Sequence, residues 1–193
     1  MGMVKLKKIR QLNPTLWRTC RVLAGETRLK LIRQLHQSKG AGVTDLAKAV
    51  GIGGSDASQE LRRIQSRGLL RVERKRSFVF YRFGADPQVP SAAPLVKALL
   101  EVLGSSSEKQ DAEIIRIAWG LAHPRRGALV QALLMAPKTL AQLGRDTGIP
   151  RNSVSRHIGI MEEAGWVAKQ GQWLVGTVQP HPIARTLAQL LQE

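Results

Sequence analysis

The feature that most restricts this chain is a twenty-residue pattern written twice. Residues 51–70 read GIGGSDASQELRRIQSRGLL, and residues 148–167 read GIPRNSVSRHIGIMEEAGWV, at an offset of 97. A chain that repeats itself must adopt a fold that one supersecondary unit can build twice. In each copy a turn begun by glycine precedes a polar helix start, apolar residues follow at helical spacing, and a glycine closes the run. Ala57 pairs with Val154, Leu61 with Ile158, Ile64 with Met161, and Gly68 with Gly165.

The flanking elements recur in the same order. ETRLKLIRQLHQ (26–37) places Leu29, Ile32 and Leu35 on one helical face, and PRRGALVQALLM is its counterpart. Val43–Val50 predicts a short helix, matched by LAQLGRDT. A third helix is expected from Ser55 to about Arg67, with Ser55 or Asp56 as its N-cap, and RNSVSRHIGIMEEA is its partner. LLRVERK and SFVFYRF predict a hairpin with a basic tip, and WVAK and QWLVGTV a tighter one around Gln170 and Gly171. Pro94 is expected to open a terminal apolar helix, LVKALLEVL, as Pro182 opens IARTLAQLL. Gly104 and the serines after it mark the linker. The reading is a mainly α protein with small β-hairpin wings. It comprises two tandem winged helix-turn-helix units, residues 1–104 with a basic N-terminal arm and 105–193, joined as an intramolecular pseudo-dimer.

LAGETRLKLIRQL, VTDLAKAVGI and SDASQELRRIQSRGLL resemble the ArsR/SmtB-type winged helix-turn-helix regulators over nearly all of residues 16–103. The second copy resembles the same family, or its MarR-like relatives, less closely. The resemblance implies double-stranded DNA as partner, promoter occlusion as mechanism, and an unidentified small-molecule or protein inducer. Metal-sensing members carry a Cys-x-Cys pair just before the Asp-Leu-Ala of the short helix. Here those positions are Gly42 and Thr44, ahead of Asp45, Leu46 and Ala47, so no metal is expected there. Such regulators pair through their first and last helices. Leu16 and Trp17, the IIRIAW segment and the two proline-opened helices are the expected internal seam, with a homodimer of whole chains as the alternative.

Charge supports a polyanionic partner. Thirty Lys and Arg oppose 14 Asp and Glu, a net +16. Residues 1–83 hold 19 basic and 5 acidic residues, against 10 and 7 over residues 105–193. The single cysteine, Cys20, excludes an internal disulfide and suits a cytoplasmic protein. No apolar run is long enough for a membrane span, and the start shows neither a secretory h-region nor a myristoylation motif.

The candidate contacts follow from which helix face is left outside. With Ala57, Leu61 and Ile64 inward, Ser55, Asp56, Ser58, Gln59, Arg62 and Arg63 face out. Gln59 and Arg63 suit bidentate base contacts, and Ser55, Ser58 and Arg62 suit phosphate or base. Arg74, Lys75 and Arg76 at the wing tip are expected on phosphates or in the minor groove. Lys5, Lys7, Lys8 and Arg10 form either a contacting arm or an inert tail. In the second copy the corresponding set is Arg151, Asn152, Ser155, Arg156 and the wing residue Lys169, with Gly159 and Ile160 replacing Arg62 and Arg63. That half has the weaker electrostatic grip. The four tryptophans are expected in the core more than around a ligand.

His36, His123, His157 and His181 show no metal-ligand spacing, and no nucleophile elbow or phosphate loop appears, so neither an enzyme nor a cofactor is expected. The remaining alternative is a module that binds chromatin or RNA without sequence preference, or one that serves structural interactions.

Overall fold

The computed structural model describes residues 12–75, 78–104 and 108–192. A short helix, α1 (Leu16–Leu23), leads into α2 (Glu26–Ser38), β1 (Ala41–Gly42), α3 (Val43–Val50), α4 (Gly54–Gln65), β2 (Leu70–Lys75), β3 (Phe78–Phe83) and α5 (Ala92–Leu103). The same order then recurs. α6 (Glu108–Leu121) leads into α7 (Pro124–Met135), β4 (Lys138–Thr139), α8 (Leu140–Thr147), α9 (Arg151–Glu163), β5 (Val167–Gln170), β6 (Trp173–Gly176) and α10 (Pro182–Leu190).

Each half carries a three-stranded antiparallel sheet with the hairpin's second strand in the middle, β1-β3-β2 and β4-β6-β5. In the first, Ala41 faces Tyr81 and Leu70 faces Phe83. In the second, Lys138 faces Leu174 and Val167 faces Gly176. The two-residue strands β1 and β4 lie directly before the short helices α3 and α8, so they tie the base of each wing to the helix-turn-helix.

Local chemistry explains most boundaries. α3 ends where Gly51 turns left-handed (φ 74°), and α8 ends likewise at Gly148 (φ 65°). Two expectations need correction. α4 starts one residue earlier than expected, with Gly53 as N-cap and no side-chain cap, so neither Ser55 nor Asp56 caps it; Asp56 instead lies in the first turn, where its charge suits the helix dipole. α5 starts at Ala92, and Pro94 falls within the first turn, where a missing N–H costs no intrahelical bond. Pro124 and Pro182 do open their helices.

The inward faces of the two third helices are as expected: Ala57, Leu61 and Ile64 on α4, and Val154, Ile158 and Met161 on α9, are all buried. Gly68, past the end of α4, sits at φ 74°, and a Cβ there would lie 2.5 Å from the Val89 Cβ. Only glycine meets both demands.

The halves share one apolar core, in which α1 packs on α6 and α5 packs on α10. Leu23, Ile114, Ile117 and Leu121 are buried in the former contact region, and Leu95, Leu99, Ile183 and Leu187 in the latter. Arg33 adds a polar tie across the seam: its guanidinium pairs with Asp111 and donates to the Leu103 carbonyl at 3.3 Å. Gly120 lets α6 approach closely, since a Cβ there would lie 2.4 Å from the Trp166 ring.

Candidate nucleic-acid interface

The face of α4 opposite its buried stripe carries Ser55, Asp56, Gln59, Arg62 and Arg63, all exposed, with Ser58 half-buried. Twelve helical residues span about 18 Å, a length that fits along a major groove. The buried stripe therefore sets which side chains are offered, and rigid packing against α2 and α3 sets their direction.

One expected base reader is already engaged. Arg63 Nη1 donates to Glu60 Oε1 at 2.5 Å, and Arg28 Nη1 donates to Glu60 Oε2 at 2.8 Å. Glu60 thus ties α4 to α2, and it holds the half-exposed Arg63 along the helix. Arg62 is exposed and has no carboxylate partner among the described residues, which leaves it the less encumbered arginine.

On the first wing Arg74 is exposed, while Arg82 pairs with Glu73 at 3.1 Å. The Lys75 side chain and Arg76 lie outside the described residues, as do Lys5, Lys7, Lys8 and Arg10. Sequence reasoning missed two aromatics there: Phe78 is 69% exposed and Phe80 38%. Their alternation along SFVFYRF is the available signal, which a hairpin reading of that segment uses only for strand formation.

In the second half Arg151, Asn152, Ser155 and Arg156 are exposed on α9. Lys169 Nζ donates to Glu162 Oε2 at 2.6 Å, so the hairpin's lysine is partly neutralised by the C-terminal end of α9. The inward side differs more. Where α4 has Glu60, α9 has His157, which is buried at 4% exposure with no hydrogen-bond partner for either ring nitrogen among the described residues. Its ring centroid lies 4.8 Å from that of His123, whose Nδ1 accepts from the Arg125 N–H as the N-cap of α7. Burial holds both imidazoles below their ordinary pKa. For His157, His123 and then Arg126 reinforce the shift; for His123, Arg126 and Arg125 do.

Arg126 is itself buried and donates to the Trp119 and Gly120 carbonyls, at the C-terminal end of α6 where a cation suits the helix dipole. Burial pushes the Cys20 thiol up to about 12, so it is a core thiol rather than a thiolate ligand. The described residues hold no cluster of three or more metal-ligating side chains. Only Trp166 behaves as a full core tryptophan, with Nε1 donating to the Ile117 carbonyl; Trp119 and Trp173 are exposed. No helix among the described residues is long and apolar enough to cross a membrane.

Residues 121–169 match the family model described as a helix-turn-helix domain, a span that covers α7 to β5. The crystal structure of the AntR antimony-specific transcriptional repressor is similar at 31% identity. That likeness covers 52% of this chain and 88% of that one, with a TM-score of 0.37. No curated protein matches the chain.

Proposed function

We propose that this chain, which carries a helix-turn-helix domain over residues 121–169, is a transcription regulator that binds duplex DNA through two unequal winged-helix reading heads. The observation that carries the reading is the pair α4 and α9. Each buries an apolar stripe, offers a polar face without large apolar side chains at its N-terminal half, and stands beside a hairpin. Ser55, Ser58, Gln59 and Arg62 read or grip one half-site, with Arg63 joining once it leaves Glu60. Arg151, Asn152, Ser155 and Arg156 address the other.

The two halves act as one pseudo-dimer. Packing of α1 on α6 and of α5 on α10 favours this, because a covalent link replaces bimolecular pairing with a high effective concentration. Repression by promoter occlusion is the corresponding mechanism, with an inducer changing the relation of the two heads. The surplus of bare cations on the first half makes it the stronger grip.

Selection from random duplex DNA at roughly 150 mM salt tests this. A regulator enriches a motif that it binds about a thousandfold more tightly than scrambled duplex. Tight, salt-sensitive binding to every duplex with no enrichment rejects sequence-specific regulation in favour of a backbone-binding module.

A further inference from the structure

Arginines also converge beside the C-terminal end of α4. α1 and the C-terminal end of α4 enclose a cleft of about 470 Å³, lined by Arg18, Arg21, Arg28, Arg63, Ser66 and Arg67. Arg28 is fixed as one wall: its Nε donates to the Val22 carbonyl at 2.9 Å, Nη1 to Glu60, and Nη2 to the Arg21 carbonyl at 3.1 Å. Glu60 is the carboxylate paired here, and Arg28 and Arg63 share it. Arg18, Arg21 and Arg67 have no carboxylate partner among the described residues. Burial, and then the charge of Arg18, holds the Arg67 guanidinium below its ordinary pKa. Like charges gathered in a recess repel one another unless an anion joins them.

The fold does not impose this cluster. At the offset of 97, Arg18, Arg21, Arg63 and Arg67 correspond to Ile115, Ala118, Ile160 and Ala164; only Arg28 keeps its type, as Arg125. The same architecture is therefore built in the second half with apolar residues at these places.

We propose that the cleft between α1 and the end of α4 is a binding site for a phosphate-bearing ligand, charged by Arg18, Arg21 and Arg67. Arginine forks match phosphate oxygens bidentately, and the volume lies in the range of small-ligand sites. Two or more unpaired guanidinium groups in one recess suit a diphosphate better than a single carboxylate. The phosphates come either from a free small molecule or from the DNA backbone.

The test uses the full chain and inorganic pyrophosphate as probe, with calorimetry and tryptophan fluorescence, to which Trp17 contributes with the Arg18 guanidinium 5.1 Å from its ring. Variants Arg18→Gln and Arg67→Gln are compared with Arg185→Gln, at an exposed position of α10, and circular dichroism confirms that each is folded. A free-ligand site predicts saturable one-site binding that weakens at least tenfold in the first two variants, weakens less in Arg67→Lys, which keeps the charge but loses the fork, and is unchanged in Arg185→Gln. A backbone source predicts instead that each of the first two lowers the slope of log affinity against log salt for duplex DNA by about one. Only the second arm rests on the DNA-binding reading, so pyrophosphate binding stands or falls independently of it. Unchanged salt slopes together with no arginine-dependent pyrophosphate binding overturn the proposal.

Discussion

His157→Leu is expected to stabilise the protein. The imidazole is buried on α9, its nitrogens find no protein partner among the described residues, and His123 and Arg126 oppose its protonation. An unsatisfied buried polar group costs about 1–3 kcal/mol, whereas an apolar replacement of similar volume loses little packing, under about 1.5 kcal/mol. The net gain at pH 7 is then on the order of 1 kcal/mol, a rise in Tm of about 2–4 °C for a chain of this size. The pH dependence has a definite sign. A group whose folded pKa is depressed takes up protons in the unfolded state first, so the wild type loses stability as pH falls below the unfolded value of 6.5. That loss continues down to the folded pKa. With one proton at stake, the difference between variant and wild type grows by up to about 1.4 kcal/mol per pH unit in that window. Urea unfolding followed by tryptophan fluorescence at pH 8, 7, 6 and 5.5 reads it. A variant that is less stable at pH 7, or that keeps the wild-type acid sensitivity, refutes the reasoning.

Three further perturbations separate packing from recognition. Gly68→Ala places a Cβ at positive φ and 2.5 Å from Val89, so it should cost roughly 1–3 kcal/mol in denaturant unfolding; a neutral result means the turn after α4 relaxes freely. Arg33→Ala strands the half-buried Asp111 at the seam and should lower unfolding free energy by about 1–3 kcal/mol, whereas Lys97→Ala on exposed α5 surface stays within about 0.5 kcal/mol. Arg62→Ala should relax preference at one base position of a selected duplex, with a discrimination loss of about 1–3 kcal/mol. Arg74→Ala should weaken all duplexes alike and lower the salt slope by about one. Identical behaviour of the two variants contradicts the division between reading helix and wing.

How much of this was legible in the sequence depends on the range of the interaction. The end of α3 is readable because Gly51 terminates it, and the buried stripes of α4 and α9 because three apolar residues at helical spacing fix a face. β1 and β4 were not read, since two residues cannot display a period of two. The start of α4 was placed too late because glycine serves as an N-cap without a side-chain signal. Which outward residues are free was hidden as well. Glu60 engages Arg63 one helical turn away but also Arg28 from another helix, and Glu162 engages Lys169 from the wing. The exchange of Glu60 for His157 was visible as a difference between copies. Its meaning, a carboxylate serving two arginines against an imidazole buried beside His123, needed the packing of α9 on α7.

The central claim is that one chain supplies two unequal grips on a single duplex. Hydroxyl-radical footprinting of the chain on its selected duplex, at a measured ratio of chain to DNA, tests it most directly. The account predicts two protected patches about one helical turn apart at one chain per duplex, the patch that fades in Arg62→Ala differing from the one that fades in Arg156→Ala. A single patch, or two patches that appear only when two chains are bound, contradicts it.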